Sequence, residues 1–164
     1  MFASRDVLSE QARLLETRVH EAARADPVCR LLMTAPGVGE VTALTFRAVI
    51  DEPGRFPTSR SVGVHLGLTP RTRQSATMET RGSISRWGDS TARKLLFMAA
   101  MTVFKMRQVD TALHRWARSL AARMKPKKAI VAIARKLAVI LHRMWMDGTT
   151  FDNAGGGELA MPNG

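Results

Sequence analysis

The chain has one cysteine and no tyrosine. Cys29 has no partner within the chain, so no internal disulfide can hold the fold, and a reducing compartment suits it. Its expected place is that of a small buried apolar residue rather than a nucleophile. Aromatic residues make up only 5% of the sequence, whereas ten methionines and many alanines and leucines favour helix over strand. Acids are scarce through the middle: between positions 53 and 146 the carboxylates are Glu79, Asp89 and Asp110. Metal-dependent nucleases need several carboxylates converging on one spot, so this chain alone is not expected to be one, and no metal ligands are assigned. His20, His65, His114 and His142 are scattered without zinc-ligand spacing. The longest apolar run, "LLFMAAM" at 95–101, is too short to span a bilayer. No basic start leads into an apolar run, so no signal peptide is expected.

What is abundant is positive charge. The 164 residues carry a net +11, with a sequence pI near 11.3. Residues 1–52 hold six basic against eight acidic residues, 53–94 eight against two, and 95–146 eleven against one. The surplus therefore begins after residue 52. A concentrated field of this sign attracts polyanions, nucleic acid ahead of membrane, with a merely soluble basic surface as the bland alternative. Hydrophobic content of 45% is enough for a real core.

Residues 4–25 read as one helix, with Leu8, Ala12, Leu15, Val19 and Ala22 in a two-heptad seam that either packs on its own domain or pairs with a partner helix. Asp26-Pro27 starts a short helix that Pro36 stops. Gly39 opens "EVTALTFRAVI", whose apolar side is expected to be Val41, Leu44, Thr45, Ala48 and Val49. Thr58 or Ser59 caps a helix ending at Gly67. Residues 69–85 are polar and without helical period, a loop or short β-hairpin. Asp89 caps a long helix that is apolar nearly all round and so buried. Asp110 caps another, with Leu113, Trp116, Ala117, Leu120 and Met124 inward. The last helix carries Ile130, Ile133, Leu137, Leu141 and Met144 on one stripe, and Gly148 closes it. Its basic residues Lys125, Lys127, Lys128, Arg135, Lys136 and Arg143 form a solvated face or track a nucleic-acid backbone. The expected fold is mostly α: a compact helical domain at 26–150 with a helix-hairpin-helix element at 27–50, a coiled-coil-like arm at 1–25 and a disordered tail at 151–164.

Two stretches could carry chemistry. In "PGVG", 36–39, the glycines Gly37 and Gly39 let backbone approach a phosphate, with N–H groups at the next helix start aimed at it. The alternative is a plain helical turn. In "PRTRQSATMETRG", Ser75 sits among Arg71, Arg73 and Arg81. A serine attacks phosphorus only when its proton is removed and the phosphate charge is offset, which arginines can do. Spacing alone leaves an ordinary polar loop serine as the simpler reading.

The ordered series "LLMTAPGVGEVTALTF", "RFPTSRSVGVHLGLTPRTRQSA", "RGSISRWGDSTARKLLFMAA" and "KPKKAIVAIARKLAVILHRMWMDG" resembles one family. It is similar to the C-terminal domain of bacterial insertion-sequence transposases that pair a RuvC-like DEDD domain with a helical serine-bearing domain. The pilin-inverting and bridge-RNA-guided recombinases belong to that group. The resemblance covers about residues 30–150. It implies that Ser75 is the nucleophile, and that Arg71, Arg73, Arg81, Arg86 and Arg93 surround the scissile phosphate. Lys94, Gly37 and Gly39 would be further nucleic-acid contacts. The family pattern has glycine after the serine, where this chain has Ala76, a more restricted backbone. The resemblance places Mg2+ in the DEDD domain, which this chain lacks, so no cofactor is expected here and the chain alone should bind DNA without cutting it. The expected partners are DNA, a structured guide RNA as an alternative, and another transposase subunit through residues 4–25, in a bacterial cytoplasm near the nucleoid. The competing expectation is a non-enzymatic nucleic-acid-binding module or truncated remnant that modulates an intact transposase.

Overall fold

The computed structural model describes residues 2–75, 78–84, 87–106 and 108–151. The expected Arg86 contact, Ala76 and the tail from 152 lie outside the described residues. Seven α-helices and one two-stranded ribbon follow in the order α1 (Phe2–Ala25), α2 (Pro27–Leu32), α3 (Glu40–Ile50), α4 (Ser59–His65), β1 (Pro70–Ser75), β2 (Met78–Ile84), α5 (Ser90–Lys105), α6 (Ala112–Arg123) and α7 (Pro126–Asp147). A single 3-10 turn at Pro53–Arg55 precedes α4. None of the described helices is long and apolar enough to cross a membrane.

Helix α7 is the axis of the bundle, packing against α2, α4, α5 and α6. Its stripe of Ile130, Ile133, Leu137, Leu141 and Met144 is buried as the 3.6-residue period predicts. Small residues let α5 come close: Ala99 and Ala100 on α5, and Ala134 and Ala138 on α7, are all buried. Phe46, Leu32, Leu66, Leu68 and Leu96 complete the core around this pair.

Local signals explain most of the boundaries. Asp26 Oδ1 accepts from the Cys29 amide at 2.9 Å with Pro27 behind it, and Asp89 Oδ1 accepts from the Ala92 amide at 2.7 Å. Gly148 ends α7 in the left-handed conformation at φ 65°. Cys29 is fully buried, and burial first, then the Asp26 charge, pushes its thiol up to about 11.

Four expectations need correction. The α3 face turned inward is Thr42, Ala43, Phe46 and Ile50, so Val41 and Ala48 face solvent. The large Phe46 ring sets the rotation of that helix, turning it by about one residue from a stripe through Val41. Asp110 does not cap α6; Thr111 does, its hydroxyl accepting from the His114 amide, while Asp110 receives Arg118 at 2.7 Å and Arg115 at 3.1 Å. Helix α5 is not buried all round, since Met98 is 57% exposed, and Met124 at the end of α6 is exposed too. The α1 seam, for which packing on the domain and pairing with a partner helix were both open, is left largely uncovered: Leu8 is 70% and Leu15 60% exposed, and only the C-terminal end of that helix, around Val19 and Ala23, meets the domain.

A buried histidine ties the 53–59 segment to the axis. His142 on α7 donates from Nε2 to the Pro53 carbonyl at 2.9 Å and accepts at Nδ1 from the Ser59 hydroxyl at 3.0 Å. The Phe56 ring meets it edge-on at 5.7 Å. Ser59 is therefore spent on this tie, and Thr58 stands at the α4 cap without a side-chain bond.

Candidate nucleic-acid interface

Residues 70–84 form the antiparallel ribbon. Thr72 pairs with Arg81, Arg73 with Thr80, Gln74 with Glu79 and Ser75 with Met78, with an irregularity between Pro70 and Thr72. Ser75 thus holds the last paired position of β1. At strand rise this is about 16 Å from Pro70, at the opposite end of the ribbon from its root. Arg73 and Ser75 occupy alternate positions on β1, and Arg81 lies across on β2.

The root is cinched by two residues. Gly88 adopts φ +90°, and a Cβ there would fall 1.9 Å from the His65 carbonyl oxygen. Glycine is required because the strand leaving the ribbon crosses the backbone entering it. Arg93, on the first turn of α5, donates to the Leu66 carbonyl at 3.2 Å and the Trp87 carbonyl at 3.4 Å. One guanidinium therefore joins the chain before the ribbon to the chain after it. Arg93 orients the ribbon from its base, some distance from Ser75. Lys94 beside it is exposed.

The Pro36–Gly39 turn is built differently. Gly37 takes φ +78°, and a Cβ on it would stand 2.6 Å from the Ala99 carbonyl oxygen of α5. Close packing against α5 is therefore reason enough for glycine here. A Cβ on Gly39 would meet nothing within 4 Å, so that position is open. The α3 N-terminus already has a carboxylate: Glu40 lies 3.4 Å from both His20 Nδ1 and Arg24 of α1. Its own backbone amide, then His20 and Arg24, hold the Glu40 carboxyl below the usual carboxylate range.

The structure thus brings Arg71, Arg73, Arg81 and Ser75 onto one ribbon and sets Arg93 and Lys94 at its foot. Gly37 and Gly39 belong to a separate turn that leads into the start of α3 and packs on Ala99 of α5. Two residues at the surface were missed by motif reading. Trp87, at the ribbon root, is 75% exposed, which is rare for tryptophan away from a binding surface. Arg60, on the exposed side of α4, carries no ion pair among the described residues. Trp87 could have been found by its place between a polar stretch and a capped helix, where no core needs it.

Among the described residues no group of three or more His, Cys, Asp or Glu could hold a metal ion.

Comparison with known sequences gives the context. The profile of the family described as Transposase IS116/IS110/IS902 matches residues 29–115, from α2 through the ribbon into α6. The transposase for insertion sequence element IS1111A of Coxiella burnetii is 30% identical over 127 residues, covering 77% of this chain and 35% of that protein. The transposase for IS1328 of Yersinia enterocolitica is 28% identical over 145 residues, 88% of this chain and 43% of that one. The 43.6 kDa protein of insertion element IS110 in Streptomyces coelicolor is 29% identical over 152 residues, 92% and 37% respectively. The chain spans about two fifths of the length of these relatives.

Proposed function

Because the chain belongs to the IS116/IS110/IS902 transposase family, we propose that it is the DNA-binding, serine-bearing portion of a transposase. In this reading Ser75 is the nucleophile of a recombination step. Its oxygen bonds to the scissile phosphorus as a DNA hydroxyl leaves, while Arg71, Arg73 and Arg81 offset the phosphate charge. Magnesium and the base that takes the serine proton come from a separate acidic domain. The observation that carries the reading is the ribbon: a serine at the end of its first strand, arginines along its strands, and a root fixed by Arg93 and Gly88. A projecting ribbon of this build can enter a groove of the duplex. Guide-RNA contact is the alternative use of the same surface, and the open position at Gly39 is a further phosphate contact.

The test mixes this chain with a full-length relative and DNA bearing that relative's element ends. An SDS-stable protein–DNA adduct at this chain's mass, lost on Ser75→Ala, is the expected result. Duplex binding by the chain alone without strand cleavage is expected beside it. Recombination that proceeds with no adduct on this chain contradicts the nucleophile.

A second reading has its own observation. The exposed Leu8 and Leu15 of α1 give the arm an apolar side that the described domain leaves uncovered. In that reading the chain pairs with an intact transposase subunit through residues 4–25 and lowers its activity. Dose-dependent inhibition of recombination that Leu8→Asp/Leu15→Asp abolishes, with no adduct, selects it over the first.

A further inference from the structure

The middle of α7 holds cations that the ribbon does not account for. Arg135 and Lys136 are half-buried, unlike Lys125, Lys127 and Lys128 at the exposed start of the helix. Buried charges are ordinarily paired, because desolvation is costly. Among the described residues neither Arg135, Lys136 nor Arg60 has a carboxylate within ion-pair distance, while six such pairs form elsewhere. The placement is built by the helices. Gly63 of α4 is bare where Arg135 passes, since a Cβ would sit 3.2 Å from Arg135 Cγ. Arg60 lies one turn earlier on α4, on the same side. Lys136 Nζ stands 6.0 Å from the centre of the Trp116 ring of α6. Burial first, and the Arg60 charge second, hold the Lys136 ammonium below the usual lysine range. Their head groups still reach solvent, since the one fully buried, unpartnered side-chain nitrogen among the described residues is His114 Nε2.

We propose that this seam between α4, α6 and α7 is a second polynucleotide contact, in which Arg60, Arg135 and Lys136 receive backbone phosphate oxygens above Trp116. The inference rests on the reading that the chain binds nucleic acid, but it places binding energy away from the ribbon. An extended anion fits better than a lipid surface. The apolar stripe of α7 is turned inward, so no face is left to enter a bilayer. The cation row continues to the exposed lysines at 125–128, along which a phosphate backbone can run. Three cations from two helices have no carboxylate partner among the described residues, and a phosphate relieves their mutual repulsion with charge-assisted hydrogen bonds.

The test measures binding of the full chain by fluorescence anisotropy over a salt series. The probes are a 20-base-pair DNA duplex and an RNA stem-loop with the same number of phosphates. Three variants are compared: Arg60→Gln/Lys136→Met in the seam, Arg71→Gln/Arg73→Gln in the ribbon, and Arg13→Gln/Arg18→Gln on α1 as a charge-matched control. The seam variant is expected to bind roughly tenfold or more weakly than the control at 0.1 M salt, with a log–log salt slope shallower by about two. The probe with the larger loss identifies DNA or RNA as the source of the phosphates. The seam variant should also melt no lower than the native chain, because it removes crowded charge; weakened binding at undiminished stability separates a ligand site from a structural one. A seam variant indistinguishable from the α1 control on both probes overturns the proposal. Loss confined to the ribbon variant overturns it while leaving the ribbon reading standing. Loss confined to the seam variant supports it and removes the ribbon's part in binding. A native chain that binds neither probe overturns both.

Discussion

At the junction of α1, α2 and α3 two carboxylates hold cations: Asp26 takes Arg47 at 2.8 Å, and Glu40 gathers His20 and Arg24. Along α4 and the middle of α7 the cations Arg60, Arg135 and Lys136 have no such partner among the described residues. Both regions are helical, and both pack on the same core. The difference is that the junction around Asp26 and Glu40 is electrostatically closed and the α4–α7 seam is open. A closed surface gains little from an added polyanion, whereas an open one has charge already gathered that only a polyanion neutralises. The unequal distribution of acids along the sequence has become an unequal division of the surface.

If the open side is held by neutral contacts instead of ion pairs, its largest single loss should come from such a contact. His142→Ala removes two hydrogen bonds and a packed ring, leaving the Pro53 carbonyl and Ser59 hydroxyl unpartnered. A loss of about 3 kcal/mol in urea unfolding is expected. A loss below about 1 kcal/mol would show that the 53–59 segment is held by something else. On the closed side, Asp26→Ala removes both the α2 cap and the Arg47 pair, and about 1–2 kcal/mol should be lost. Lys136→Met sharpens the contrast because its effect should have the opposite sign. Replacing a half-buried, unpaired ammonium by a chain of similar shape should raise the melting temperature, by about 2–4 °C if roughly 1 kcal/mol is gained. If neutralisation destabilises both sides alike, the division of the molecule into closed and open regions fails.

The smallest effect concerns pH. His114 is buried on α6, its Nδ1 2.7 Å from the Thr111 hydroxyl and its Nε2 without a partner. Burial first, then the Arg118 charge, hold it below its ordinary value of 6.5. The unfolded chain therefore takes up this proton before the folded one does. Stability from this residue is complete above about pH 6.5, falls as pH drops through that value, and levels once the folded form is protonated. His114→Leu should flatten the melting temperature between about pH 7 and 5.5. An unchanged slope would assign that dependence to another group.

Much of the fold was legible because several boundaries rest on local chemistry. Asp26-Pro27, Asp89 and Gly148 act through the few residues beside them, and the α7 stripe repeats often enough to fix its inward face. The errors fall where a distant partner decides. Thr111 displaces Asp110 as the α6 cap because Arg115 and Arg118 claim the aspartate from the following turns. The rotation of α3 is set by where Phe46 finds the core, which a short helix with apolar residues on several sides does not reveal. The ribbon was legible only as a break in helical period, and its root was not, since the Gly88 crossing joins residues more than twenty positions apart. Ser75 with its arginines was readable as a cluster. The Arg60–Lys136–Trp116 seam was not, because α4, more than forty residues before α6 and α7, supplies part of it.

The most direct measurement of the central claim is the salt dependence of duplex DNA binding by the unmodified chain. If the cations of the ribbon and of the α4–α7 seam take phosphates, the logarithm of the association constant should fall against the logarithm of salt with a slope of about −4 or steeper. A slope near zero would mean that no phosphate neutralises those charges, and would contradict the account.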